Sequence, residues 1–183
     1  FWLISLFGTH AIVFGVGLVL LLMGVFFLFV QEVPWLLGSM AVVAALGLLV
    51  VRQGWVRSDC LRETNYFCIK VRAETRGDVT FQVLTLDRLV HSYTSVDDPT
   101  ALAYGYEKTY AELVDYQARQ EEPLRAFFIG GGGYTFPRYM EALYPDSELD
   151  VVEIDPGVTD VAYEKLGLSR ESGITTYNED ARM

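Results

Sequence analysis

Two patterns of apolar and polar residues divide the chain. Up to residue 51 the apolar residues run almost without a break, and from residue 66 they alternate or recur at helical spacing. Residues 11–30 read AIVFGVGLVLLLMGVFFLFV, without one charge. A helix rising about 1.5 Å per residue needs about twenty such residues to cross a bilayer core of about 30 Å. Residues 35–51, WLLGSMAVVAALGLLVV, form a second, shorter run, and Gln31-Glu32-Val33-Pro34 between them is a polar turn. The pattern predicts a transmembrane helical hairpin. A signal peptide would have a shorter apolar core preceded by basic residues, and no basic residue precedes this run. Arg52 and Arg57 follow the second run, which by the positive-inside tendency predicts an integral membrane protein with residues 52–183 in the cytoplasm. Gly15, Gly17 and Gly24 are small enough to let helices pack closely.

Beyond Tyr66 the period is two. Phe67, Ile69 and Val71 alternate with polar or small residues, Thr75-Arg76-Gly77-Asp78 reads as a turn, and Val79, Phe81 and Val83 alternate again, which predicts a β-hairpin. After Asp97-Asp98-Pro99, residues 100–118 carry Leu102, Tyr106, Tyr110, Leu113 and Tyr116 at helical spacing, an aromatic stripe that reads as core. Arg125–Ile129 is apolar after its first residue, as in a strand buried on both faces. Four glycines follow, then a helix over 136–144, a strand over 149–154, a helix over 156–166 and a strand over 174–177. This alternation predicts a parallel, doubly wound α/β sheet. The expected divisions are transmembrane helices in 1–53, a small β domain in 54–98 and the first half of a nucleoside-binding domain in 99–183. The chain opens on Phe1 inside an apolar run and stops at Met183 just after an apparent strand, so it reads as a fragment.

Charge sharpens the division. Residues 1–51 contain Glu32 alone, and residues 52–183 hold all 14 basic residues against 23 acidic ones. Such a surface argues against nucleic acid, whose binding rests on Lys and Arg neutralising phosphates, and is compatible with a cationic substrate. Cys60 and Cys68 match no zinc spacing, so no metal is expected. Cys68, in an apparent strand, reads as a buried inert thiol, and two cysteines fit a reducing compartment.

Gly130, Gly131, Gly132 and Gly133 directly after a buried strand are the strongest chemical signal. Without Cβ the backbone turns sharply and lets a ligand approach, with the positive end of the next helix aimed at the same spot. A structural tight turn is the alternative. Glu153 ends the next strand, 23 residues after Gly130, where a carboxylate accepts hydrogen bonds from a ribose diol. Asp155 either joins that site or caps the following helix. Asp180 ends the third strand on the same edge, placed to meet an adenine amino group or to stay solvated. The glycine run is not the spaced pattern of dinucleotide folds, which puts S-adenosyl cofactors ahead of NAD.

Taken together, Phe128–Gly133, Val152-Glu153-Ile154-Asp155, Leu86-Asp87 with His91, and Asp97-Asp98 with Tyr106-Glu107 resemble the motifs of the spermidine and spermine synthases, over about residues 63–180. Membrane-fused bacterial members are the most similar. The resemblance implies a Rossmann-like, S-adenosylmethionine-dependent methyltransferase fold preceded by a small β-hairpin domain and transmembrane helices. It implies transfer of an aminopropyl group from decarboxylated S-adenosylmethionine to a polyamine such as putrescine, without a metal. Under it Glu153 holds the ribose, Asp180 contacts the adenine, His91 lies by the cofactor, and Tyr66, Tyr106 and Glu107 lie by the acceptor. Homodimers are common among such synthases, and membrane lipid would surround the helices. The departures are specific. The family has an Asp facing the donor's amino group where Gly133 stands, a glutamine where His91 stands, and Tyr-Gln where Tyr66-Phe67 stands. Its Tyr-His-Glu tyrosine falls at Gly105, beside Tyr104, and its catalytic Asp falls beyond Met183. Two alternatives stay open: a methyltransferase using S-adenosylmethionine, and a transporter whose extramembrane domain only senses a nucleoside or polyamine.

Overall fold

The computed structural model describes the backbone of residues 2–30, 35–53, 59–120 and 123–182, with side chains at 9, 11–27, 38, 41–49, 51–53 and throughout the last two segments. The turn at 31–34, Arg57 and the side chain of His10 lie outside the described residues. The chain divides into two compact units, Phe1–Asp59 and Cys60–Met183.

The first unit contains α1 (Trp2–Val30) and α2 (Trp35–Arg52), helical where the apolar runs predict helices. The membrane expectation is corrected. Among the described residues no helix is long and apolar enough to cross a membrane. The reading as an integral membrane protein with a cytoplasmic C-terminal part is therefore withdrawn, and the transporter alternative loses its motive. A Cβ at Gly15, Gly17 or Gly24 would meet nothing within 4 Å, so among the described residues these glycines mark no close helix contact.

In the second unit, β1 (Arg62–Glu63), β2 (Cys68–Arg76), β3 (Val79–Leu86) and β4 (Leu89–Ser95) form an antiparallel sheet in that order. The predicted hairpin closes at Arg76 opposite Val79, with Gly77 at φ +60. The following turn is less obvious in sequence. Asp87 adopts φ 56, a conformation that Asp tolerates better than most side chains. Its carboxylate accepts from Cys68 N at 2.9 Å and its own N–H donates to Cys68 O at 2.9 Å. That turn sends β4 back along β3 and brings His91 and Ser92 into the site. Cys60 and Cys68 are joined in a disulfide, their Cα atoms 5.3 Å apart. This corrects the inert-thiol and reducing-compartment expectations: the segment before β1 folds back along β2, with Leu61 N donating to Ile69 O at 2.7 Å.

The helix predicted over 100–118 is α3 (Gly105–Ala118). Its stripe is not core: Tyr106, Tyr110, Leu113 and Tyr116 are each more than half exposed. The parallel sheet is β5 (Arg125–Ile129), β6 (Glu148–Val152) and β7 (Thr175–Tyr177), with α4 (Thr135–Leu143) and α5 (Pro156–Lys165) as crossovers. Burial alternates along β5, and Phe127 at 61% and Ile129 at 76% exposure lie on a face that no described element covers, which corrects the expectation of burial on both faces. The core gathers Leu149 and Val151 of β6, Met140 of α4, Val158 and Val161 of α5, and Ile69 and Leu84 of the antiparallel sheet. Arg138 of α4 ties the end of β4 to the end of α5, donating from Nη1 to Ser95 O at 2.8 Å and to Leu166 O at 2.9 Å.

Candidate cofactor site

β5 delivers the chain to the glycine loop and β6 delivers Glu153 beside it. Gly130 N donates to Val152 O at 2.8 Å, which extends the parallel ladder by one step. The chain then turns through Gly130 at φ +92 and Gly132 at φ +50, conformations that only glycine adopts freely. A Cβ at either position would meet nothing within 4 Å, so both face open space. Gly131 is required for a different reason: a Cβ there would lie 2.5 Å from the ring of the fully buried Tyr134.

Glu153 is 6% exposed and engaged with backbone through both of its oxygens. Oε2 accepts from Gly131 N at 2.8 Å and Gly132 N at 3.1 Å, and Oε1 accepts from Asp155 N at 3.0 Å. A carboxylate offers about four lone-pair sites, so three are taken and one is free for a ligand. Asp155, 1% exposed, caps α5 by accepting from Gly157 N at 2.9 Å, and its other oxygen accepts from the Thr64 hydroxyl at 2.6 Å. Burial raises its carboxyl above the usual range, and the bonds from Thr64 and Gly157 act in the opposite direction. Of the two roles open to Asp155 from sequence, its oxygens perform the cap.

A cavity of about 740 Å³ opens beside the loop, lined by Gly130–Gly133, Glu153, His91, Ser92, Tyr106 and Glu107 together with apolar residues of β5, α3 and α4. Glu107 is 3% exposed and accepts from Tyr104 N at 3.0 Å. Burial raises its carboxyl, against hydrogen bonds from the Tyr104 and Ala103 backbone. Tyr106 stacks on Tyr104 with ring centroids 5.3 Å apart. His91 is exposed at the rim, its ring 6.4 Å from that of Phe67.

Two sequence-predicted residues stand apart. Tyr66 is 49% exposed and is not part of the cavity wall, where its neighbour Phe67 sits instead. Asp180 is held by Arg182, whose Nε donates to its two oxygens at 2.9 and 3.1 Å, and it too is absent from the wall. This pairing draws the Asp180 carboxyl down to about 2.

Sequence reasoning missed three residues. Asn178 Nδ2 donates to Glu153 O at 3.2 Å and to Thr159 Oγ1 at 2.8 Å, pinning the end of β7 to the end of β6. Its place directly after a strand in Asn178-Glu179-Asp180 was a usable signal. Tyr134, at φ 53, packs its ring under the loop with its hydroxyl 3.2 Å from Thr159 Oγ1. Ser92, 5% exposed, lies at the cavity wall, with its Oγ buried and without a hydrogen-bond partner among the described residues. Neither carried a sequence signal, because each acts through tertiary proximity.

No family model matches the chain. A polyamine aminopropyltransferase of Vibrio vulnificus (strain CMCP6) is 36% identical over 62 residues, which cover 34% of this chain and 21% of that protein. The eEF1A lysine and N-terminal methyltransferase of Mus musculus is 29% identical over 100 residues, 48% of this chain and 14% of that protein. The crystal structure of a probable spermidine synthase from Corynebacterium glutamicum ATCC 13032 superposes with a TM-score of 0.59 at 24% identity, covering 65% of this chain and 43% of that one. Over these stretches the chain is similar to polyamine aminopropyltransferases and spermidine synthases. Its α/β architecture is that of the methyltransferase-like folds, and the relatives it matches are transferases. The matched stretches span about a fifth or less of the curated relatives' length.

Proposed function

We propose that this spermidine synthase-like chain supplies the nucleoside-binding half of an aminopropyltransferase, which uses decarboxylated S-adenosylmethionine to extend a polyamine such as putrescine. The observation that carries the reading is the glycine loop docked by two N–H groups onto Glu153 at the carboxyl edge of a parallel sheet, directly beside a cavity. Ligands bind at that edge in folds of this kind. The residues fit such a cofactor: Gly130 and Gly132 leave open space against the backbone, Glu153 keeps one acceptor site, and Ser92 Oγ is buried without a partner at the wall.

When bound, the cofactor supplies a carbon activated by an adjacent sulfonium for attack by a neutral amine. Glu107 is the cavity's own candidate for the amine. Its carboxylate suits a cationic acceptor, and a raised pKa makes it a better proton acceptor than a solvated glutamate. Tyr106 beside it offers an aromatic face to a cation.

A second reading, methyl transfer from S-adenosylmethionine, is favoured by one observation. Gly133 places no carboxylate where it would repel the carboxylate that S-adenosylmethionine carries and its decarboxylated form lacks, and a Cβ there would fall 2.0 Å from Ser92 Oγ. Calorimetry with the full-length protein separates the two. Tighter binding of the decarboxylated form, with release of methylthioadenosine on adding putrescine, is the expected result. Tighter binding of S-adenosylmethionine, with transfer of its labelled methyl group, would replace aminopropyl transfer by methyl transfer.

A further inference from the structure

Behind the glycine loop, side chains from three separate elements meet at one oxygen. Thr159 lies in α5, Asn178 follows β7, and Tyr134 leads into α4. Thr159 is 4% exposed. A threonine inside a helix commonly turns its hydroxyl back to a carbonyl of the preceding turn. The Thr159 hydroxyl leaves its helix instead. Its Oγ1 accepts from Asn178 Nδ2 at 2.8 Å and lies 3.2 Å from the Tyr134 hydroxyl.

Both neighbours support the loop. Asn178 Nδ2 also donates to Glu153 O at 3.2 Å, on the residue whose carboxylate holds Gly131 N and Gly132 N. Tyr134 N donates to Gly131 O at 2.8 Å, and its ring lies 2.5 Å from where a Cβ on Gly131 would stand. Tyr134 is fully buried at φ 53, a left-handed conformation that is costly for a bulky side chain. Such a conformation persists where the surroundings over-determine it. At the far end of the Tyr134 side chain, the Thr159 hydroxyl is part of those surroundings. One oxygen thus reaches the loop by two routes, through Tyr134 beneath it and through Asn178 and Glu153 beside it.

We propose that Thr159 is a positioning residue, whose hydroxyl, between Asn178 and Tyr134, fixes the glycine loop in the conformation that accepts a nucleoside. This rests on the cofactor reading above and deepens it by naming what preorganises the site. Thr159, Asn178 and Tyr134 are all absent from the cavity wall, so they act through the loop and not on the ligand. A loop that is competent for only a fraction of the time lowers the apparent affinity of every ligand that uses it by that fraction. The loss is therefore shared by all ligands with the nucleoside in common, whatever their tails.

The test is calorimetric titration of the full-length protein and its variants with S-adenosylmethionine, decarboxylated S-adenosylmethionine and 5′-methylthioadenosine. Thr159→Val replaces the hydroxyl by a methyl and is expected to weaken all three about tenfold. Thr159→Ser restores the hydroxyl and should bind close to the parent. Tyr134→Phe cuts one of the two routes and should weaken all three about threefold. Combined with Thr159→Val it should add nothing, because that route is already cut. Val161→Ala, at a fully buried position of the same helix, is the control: its melting temperature should fall at least as far as that of Thr159→Val, with affinity unchanged. Three results overturn the role of Thr159 and leave the nucleoside site standing: parental binding by Thr159→Val, equal weakness of the serine and valine variants, or affinity that follows melting temperature through Val161→Ala. Weakening confined to one ligand overturns it as well. Failure of the unmodified protein to bind any of the three overturns the cofactor reading and the Thr159 role together.

Discussion

The carboxyl ends of β6 and β7 look alike in sequence, each closing on acidic residues, yet they have opposite physical lives. At the end of β6, Glu153 and Asp155 are 6% and 1% exposed, and together they accept five hydrogen bonds from the chain around them. Three residues past the end of β7, Asp180 is partly exposed and, among the described residues, pairs with Arg182, two residues on. The difference teaches that an acidic strand end becomes a site element when neighbouring backbone N–H groups converge on it. The glycine loop provides that convergence for β6. The described chain around β7 offers only its own next turn.

Removing Glu153 should give the largest effect. Glu153→Ala strips acceptors from Gly131, Gly132 and Asp155 N–H at once, and hydrogen bonds to a charged group are worth about 1.5–3 kcal/mol each. Partial rescue by water leaves an expected loss of about 3 kcal/mol, measured by urea denaturation. Glu153→Gln keeps one carbonyl oxygen and should lose about half as much. An alanine variant as stable as the parent would break the contrast with β7.

Asp155 comes next. Asp155→Ala removes the α5 cap and strands the Thr64 hydroxyl, for an expected cost of about 1–2 kcal/mol. Asp155→Asn retains a capping oxygen and should stay within about 0.5 kcal/mol of the parent at neutral pH. The pH dependence has a definite sign. Burial raises the folded-state carboxyl above 3.8, so its linked contribution is fully present below pH 3.8 and declines as pH rises through the folded value. The Asn variant, which cannot ionise, should gain on the parent over that rise. Parallel stability profiles for the two proteins would remove burial of a charge as the distinguishing feature of this strand end.

How much of this was legible in sequence follows from the range of each interaction. The β2–β3 hairpin, β5 and the alternation through β7 were readable because period and turn residues are local. Glycines after a strand and an acidic residue at the next strand end were readable for the same reason. β4 was not, because its turn depends on Asp87 reaching Cys68 across the sheet. The exposure of Tyr106, Tyr110, Phe127 and Ile129 was misjudged because apolar spacing names a face without saying what covers it. The apolar helices show the same limit: the helical pattern held, while the membrane reading built on it did not. Ser92 and Tyr134 act across separations of 41 and 25 residues, which no sequence window spans.

The smallest expected effect is also the sharpest check on the comparison. Arg182 holds the Asp180 carboxyl at about 2, below its ordinary 3.8. A depressed carboxylate contributes stability above pH 3.8 and loses it as pH falls toward 2. Because this pair is open to water, screening leaves little of that contribution at physiological salt. Asp180→Asn should therefore leave the melting temperature at pH 7 unchanged within error and flatten the acid limb of the profile only between about pH 4 and 2 at low salt. Nucleoside binding at pH 7 should persist in this variant if Glu153 and the glycine loop alone define the site. Loss of binding with stability intact would show that Asp180 leaves Arg182 for the ligand, and the end of β7 would then join that of β6 as part of the site.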